Sequence, residues 1–179
     1  MASIVLCVGG SIAAYKACDL TSRLVQEGHV VDVVMTRMAL DFVRPLSFSA
    51  LTQRRVYTDE EWGKGTMPAE HLVVTRDADL LVVAPCTANL LGKLAHGIAD
   101  DIVTTTCLGA ACPVLVAPAM NARMWRHPRV RANVELLKGD GVRFVGPDAG
   151  WLAEGEEGPG RMAEPEGILA EILRSLPRG

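Results

Sequence analysis

The sequence predicts an α/β fold: a single doubly wound domain on a central parallel sheet. Short apolar runs bounded by turn signals recur at Ile4 to Val8, Val30 to Met35, Leu80 to Ala84, Val114 to Ala117 and Val142 to Val145. They are rich in Val and Ile and lack polar alternation, as strands buried on both faces do. Helical patterns separate them. Strands that alternate with helices give a parallel sheet reached by right-handed crossovers, the Rossmann-like or flavodoxin-like arrangement. At 179 residues the chain suits one ordinary core and is short for two, so residues 1–179 are read as one domain.

Each helical segment carries a boundary signal. Ile12 to Glu27 is closed by Gly28, and Ala39 to Thr52 follows. Ala88 to Ala110 breaks near Gly97, Arg129 to Lys138 is closed by Gly139, and Glu164 to Leu176 comes last. A further amphipathic stretch opens at His71. Two segments escape this rhythm: Tyr57 to Met67, and Asp148 to Arg161 with Gly150, Gly155, Gly158, Pro159 and Gly160. Long Gly-rich loops inside a compact domain are usually lids or binding loops, or else disordered.

Composition excludes several classes. The 18 basic and 21 acidic residues are scattered, with a net charge of -3, so neither a nucleic-acid footprint nor a membrane tether is expected. No apolar run approaches the roughly 18 to 20 residues of a membrane span, and the N-terminus lacks a basic n-region, so a cytoplasmic protein without a signal peptide is expected. Five cysteines form no C-x-x-C pair. Cys7 and Cys18 read as small buried residues, while Cys107 and Cys112 flank a helix-to-strand turn with no histidine at zinc-ligand spacing; no metal site is expected. Of the four histidines, His29 and His127 read as surface residues and His96 as the end of a helix.

The first strand runs into Gly9-Gly10-Ser11-Ile12-Ala13-Ala14-Tyr15-Lys16. Glycines stand where the chain turns and Ser11 stands at the expected helix cap, so backbone N–H groups backed by the helix dipole can take a phosphate. The same residues also make an ordinary strand-to-helix turn with a serine cap. The spacing is not G-x-G-x-x-G, and the second strand ends in Thr36-Arg37 where a dinucleotide fold places an acid for the ribose. A mononucleotide phosphate is the better match, with Gly10, Ser11, Ile12 and Thr36 as contacts. The third run leads into Pro85-Cys86-Thr87-Ala88-Asn89, small and hydrogen-bonding groups at the carboxyl edge of the sheet, where open α/β folds bind ligands. The fourth leads into Pro118-Ala119-Met120-Asn121-Ala122-Arg123-Met124-Trp125. There Asn121 can aim its amide at a carboxylate, although Met and Trp near a strand end are more often plain core than a cofactor site.

Taken together these segments resemble one family, the homo-oligomeric flavin-containing cysteine decarboxylases, which include phosphopantothenoylcysteine decarboxylase and the peptidyl-cysteine decarboxylases of ribosomal-peptide maturation. The resemblance spans nearly the whole chain. It rests on Gly9 to Lys16, His71, Pro85 to Asn89, Lys93-Leu94-Ala95-His96-Gly97-Ile98-Ala99-Asp100-Asp101, Pro118 to Asn121 with Met124-Trp125, and Gly158-Pro159-Gly160-Arg161-Met162-Ala163-Glu164-Pro165. It implies FMN held at subunit contacts of a homotrimer, often assembled further into a dodecamer, with Cys86, Thr87, Ala88, Asn89 and Ala119 joining the turn residues as cofactor contacts. His71 matches the family's catalytic base and Asn121 the holder of the substrate carboxylate. The segment at about 148–162 matches a flap over substrate, placing Glu154, Arg161 and Met162 with Met124 at the substrate, a cysteine-ended peptide or phosphopantothenoylcysteine.

The implied chemistry is coherent. A saturated cysteine carboxylate has nowhere to put the electrons left when CO₂ departs, and oxidation of the thiol-bearing carbon to a thioaldehyde by bound flavin supplies that sink. Loss of CO₂ then gives an enethiol, with His71 handling a proton and Asn121 orienting the carboxylate.

Two departures bear on the substrate. The coenzyme A branch carries Ala-Cys-Gly in the flap, and its cysteine helps return electrons to the enethiol; here Ala153-Glu154-Gly155 stands instead. Nor is a ligase domain, which many bacterial versions carry, expected after Leu176. Both lean toward oxidative decarboxylation of the C-terminal cysteine of a ribosomally made precursor peptide. The matches at Lys93 to Asp101 and Gly158 to Pro165 lean toward the alternative, phosphopantothenoylcysteine decarboxylation in coenzyme A biosynthesis. A non-catalytic FMN-binding regulatory subunit is a second alternative, against which His71 and Asn121 argue. A prenyl-FMN synthase of the same fold is a third.

Overall fold

The computed structural model describes residues 1–60, 62, 70–153 and 155–176. Six parallel strands form the sheet: β1 (Ser3–Val8), β2 (Val30–Met35), β3 (Val56–Thr58), β4 (Leu80–Cys86), β5 (Val114–Pro118) and β6 (Arg143–Phe144), in the order β3-β2-β1-β4-β5-β6. The chain steps outward from β1 to β3, then returns beside β1 at β4 and steps the other way. The crevice between the loops after β1 and β4 is therefore the topological switch point.

The strand residues alternate between two cores, as the twofold period of a strand demands. Ile4, Leu6, Val8, Val31, Val33, Val82 and Leu115 pack with α1 (Ala14–Gln26), Phe48 of α2 (Pro45–Thr52), and Ile168 and Ile172 of α8 (Pro165–Ser175). Val5, Cys7, Leu81, Val83 and Val116 face the other layer. There they meet Val74 of α3 (Glu70–Thr75), Leu90 and Leu91 of α4 (Ala88–Ala95), Ile102 and Val103 of α5 (Ile102–Gly109), and Val134 and Leu137 of α7 (Pro128–Gly139). A short helix, α6 (Ala122–Arg126), follows β5. An antiparallel ribbon of β7 (Asp148–Trp151) and β8 (Glu157–Arg161) precedes α8. Among the described residues no helix is long and apolar enough to cross a membrane.

The sequence expectations differ from this fold in five places. The expected helix Ala39 to Thr52 is a 3-10 turn, Arg37–Asp41, followed by α2, because Pro45 lacks an N–H and holds Arg44 in extended backbone. The Ala88 to Ala110 segment breaks near Gly97 as expected, into α4 and α5, with Gly97 at φ +65° and a fresh cap at Asp101. Strand β3 is additional, and β6 is only two residues long. His29 is half-buried because its Nδ1 accepts the Ala2 N–H at 3.2 Å. Cys18, expected to be buried, is half-buried on α1.

Candidate functional site

Loops at the carboxyl edge of the sheet enclose a cavity of about 690 Å³. The first wall is the Gly9-Gly10 turn after β1. A Cβ on Gly9 would stand 2.5 Å from the Pro85 carbonyl oxygen and one on Gly10 2.3 Å from Met38 Cγ, so only glycine lets the loops after β1, β2 and β4 meet. Gly9 N–H donates to Pro85 O at 3.1 Å. Ser11 is not itself the cap of α1, which begins at Ala14 with Ala13 in the cap position. It opens a turn instead, its Oγ accepting from Ala13 N at 3.2 Å and its carbonyl from Ala14 N at 2.9 Å. Thr36 caps the 3-10 turn by accepting from Ala39 N, and Thr87 caps α4 by accepting from Leu90 N, each at 3.2 Å. Hydroxyls thus rim the cavity on three sides.

Charged side chains form its far wall. Asp59, just past β3, accepts from Ile102 N at 2.7 Å and from Arg37 N at 3.3 Å, tying α5 to the loop after β2. Asp101 caps α5 in a capping box with Thr104, and its carboxylate meets Lys93 Nζ at 2.8 Å. Lys93 also reaches Asp100 at 2.6 Å. Burial pushes the Asp101 carboxyl up, but its bonds from Lys93 and Thr104 outweigh this and hold it below its ordinary value.

A second cavity, about 330 Å³, lies beneath the β7–β8 ribbon and shares Ser11, Ala119 and Met120 with the first. Gly160, at φ +137°, makes the close approach: a Cβ there would lie 2.2 Å from Met120 O, and Gly160 O accepts from Met120 N at 2.9 Å. Asn121 caps α6, its Oδ1 accepting from Arg123 N at 2.7 Å, so the amide presents Nδ2 as its donor end.

Of the residues singled out in the sequence, Gly10, Ser11, Thr36, Thr87, Ala88, Asn89, Ala119 and Met124 line the larger cavity. Ile12, Asn121, Arg161 and Met162 line the smaller, as Ser11 and Ala119 do also. Cys86 is fully buried within β4 and lines neither, its thiol pushed well up by burial. Glu154 lies outside the described residues. His71 lies on α3 beside Gly109 of α5, with the Trp62 ring edge-on at 6.5 Å. It lines neither cavity, and its Nδ1 is buried with no hydrogen-bond partner among the described residues. Arg37, Met38, Asp41, Asp59, Lys93, Asp101 and Met120 also line the larger cavity and were not among the expected site residues. Of these, Asp101 carries a legible signal: an acid followed three residues later by Thr, just ahead of an apolar run.

A cavity of about 690 Å³ at the switch point of a parallel sheet, rimmed by hydroxyls and loop backbone, stands where open α/β folds bind their ligands. The family model for flavoproteins matches residues 1–176. The chain belongs to that family, and within it to the flavin-dependent phosphopantothenoylcysteine and peptidyl-cysteine decarboxylases, enzymes whose cofactor is FMN. The coenzyme A biosynthesis bifunctional protein CoaBC of Bacillus subtilis (strain 168) is 51% identical over 167 residues, 93% of this chain. The chain spans 41% of that relative's length. A solved PPC decarboxylase variant complexed with pantothenoylaminoethenethiol superposes with a TM-score of 0.87 at 35% identity, over 97% of each chain. The FMN-dependent cysteine decarboxylase SpaF superposes with a TM-score of 0.80 at 34% identity, over 98% of this chain and 97% of its own.

Proposed function

We propose that this chain binds FMN in the larger cavity and decarboxylates the cysteine unit of phosphopantothenoylcysteine in the smaller one. The observation that carries the reading is the contiguity of the two cavities through Ser11, Ala119 and Met120, which sets a cofactor beside a substrate. The residues present fit FMN: the Gly9-Gly10 cradle admits no side chain, and Ser11, Thr36 and Thr87 offer hydroxyls around a space of mononucleotide size. Bound flavin supplies the two-electron oxidation that makes loss of CO₂ possible.

The protein's own residues do the rest. Asn121 orients the substrate carboxylate through its Nδ2 donor, while Met124, Arg161 and Met162 confine the substrate between α6 and the ribbon, which acts as a flap. His71 handles the proton. Because it lines neither cavity of its own chain, the imidazole serves the site of a second copy, in a homotrimer or a dodecamer built from trimers. Ile12, Tyr15, Met38 and Trp151, apolar and largely exposed around the cavities, are the surface such a copy covers.

Support for the coenzyme A substrate over the peptide comes from the higher identity to CoaBC than to SpaF. One observation favours the peptide reading: Glu154 stands where the coenzyme A branch carries its flap cysteine, and no cysteine occurs after Cys112. Anaerobic incubation of the flavin-loaded protein with phosphopantothenoylcysteine, and in parallel with cysteine-ended peptides, separates the two. Continuous loss of ~44 mass units from phosphopantothenoylcysteine, giving the saturated thiol, supports the proposal. Loss of ~46 from peptides alone, stopping near one equivalent per flavin, replaces it with the oxidative peptide reading.

A further inference from the structure

Lys16 stands on the first turn of α1, a few residues past the Gly9-Gly10 cradle, yet its charge points away from the larger cavity and lines the smaller one. It is 7% exposed. A buried ammonium is costly unless it is paired and fully hydrogen-bonded, so its partners show what the charge holds. They are the Glu164 carboxylate at 3.0 Å and the Met162 carbonyl at 3.4 Å. Both lie where the ribbon ends. The last ribbon pair is Asp148 with Arg161, so Met162 O is one residue past the ladder. Glu164 also pairs with Arg161, across from Lys16.

Strand β8 is therefore fixed at two points, by the Met120–Gly160 bond on one side of Arg161 and by Lys16 on the other. The other strand of the ribbon is mostly exposed, and Trp151 at its end is 69% exposed. We propose that Lys16 is a positioning residue for the flap: its buried ammonium, through Glu164 and the Met162 carbonyl, sets where Arg161 and Met162 stand over the substrate cavity. The same helix that begins at the cofactor turn thereby also fixes the substrate lid. The inference rests on the assignment of the smaller cavity to substrate.

The test is K16M, which keeps length and removes the charge, with K16R as the conservative rescue. Flavin content, oligomer size, steady-state kinetics with phosphopantothenoylcysteine, and amide exchange of the 148–162 and 165–175 peptides are compared with wild type. K16M is expected to keep its flavin, exchange the ribbon amides about 10-fold faster with α8 unchanged, and raise KM about 10-fold while kcat moves less than about 3-fold; K16R restores both. Unchanged ribbon exchange in K16M overturns the proposal, as does equal acceleration in α8, which would make Lys16 a plain anchor of that helix. Should K16M not fold, E164Q decides: the same ribbon-specific acceleration is expected, and its absence overturns the proposal. Exchange is read without turnover, so a wild type inactive on phosphopantothenoylcysteine would refute the substrate assignment while the exchange result still judges the role of Lys16 in the flap.

Discussion

The two cavities share three residues and are built in opposite ways. The larger is walled by loops that leave five buried strands and are cross-tied to one another: Gly9 to Pro85, Thr36 to Val8, Ala119 to Cys86, and Asp59 to both Arg37 and Ile102. The smaller is roofed by one two-stranded ribbon. A loop locked to five strands cannot shift without disturbing the core, whereas a ribbon held along one strand can change position at little cost. The difference teaches a division of labour, in which the cavity proposed for the cofactor is rigid by construction and the cavity proposed for the substrate is adjustable.

The largest expected effect breaks the rigid side. Ser11→Asp sets a carboxylate where the turn is proposed to hold the FMN phosphate, so the purified variant should be colourless and fail to take up FMN at concentrations that saturate wild type, by absorbance and by calorimetry. A yellow variant would move the phosphate elsewhere. Next, His71→Asn should reduce turnover ~100-fold or more with flavin content and oligomer size preserved. Loss of flavin or of assembly in that variant would mean that His71 is structural.

Gly160→Ala sharpens the contrast from the adjustable side. The added methyl meets Met120 O, and the positive φ is unfavourable for a side chain, a local strain of ~1–3 kcal/mol. The ribbon should lift, raising KM about 10-fold, while flavin affinity stays within about 2-fold of wild type. Equal losses of both would show that the two cavities are one mechanical unit.

The smallest effect is in pH. Asp101 has a folded pKa below its ordinary 3.8, so its contribution to stability is fully present above that value and is lost as pH falls through the folded pKa. Glu164, lowered mainly by its bond from Lys16, contributes in the same direction from an ordinary 4.5, but it is half-exposed and solvent screens it. Melting temperatures recorded from pH 6 down to pH 3 should fall less steeply in Asp101→Asn than in wild type, and E164Q should change the slope less than Asp101→Asn does. The reverse order would place the stronger electrostatic tie in the ribbon.

Strands β1, β4 and β5 were legible because burial on both faces writes an unbroken apolar run, whereas β2, interrupted by Asp32, and the two-residue β6, which contains Arg143, were marked only by the apolar residues on either side of the charge. Strand β3 was not, since Val56, Tyr57 and Thr58 between two arginines and Asp59 leave no such run. Its loss from view hid Asp59, which becomes a wall of the cavity only because β3 delivers it there. Of the rim hydroxyls, Thr36 and Thr87 obey local grammar as caps at strand ends, whereas Ser11, expected as a cap, opens a turn ahead of α1. The placement of His71 could not, because the distance between α3 and the cavities is a tertiary fact with no periodicity to announce it. Lys16 was visible only as one letter of a motif, and its reach to Met162 and Glu164 spans 146 and 148 positions.

The switch point has a consequence for how the protein comes together. One half of the chain, β1 to β3, brings Gly10, Ser11, Thr36 and Asp59; the other, β4 to β6, brings Thr87, Asn89, Lys93 and Ala119. The cavity is the seam between the halves, so a ligand there has nothing complete to grip until both have folded and docked. Each factor of ten in ligand above its dissociation constant then adds about 1.4 kcal/mol to the closed seam and nothing to either half alone. With the proposed FMN as that ligand, the stabilisation goes only to chains that have closed the seam, and chains made without it keep the intrinsic stability of the apo state.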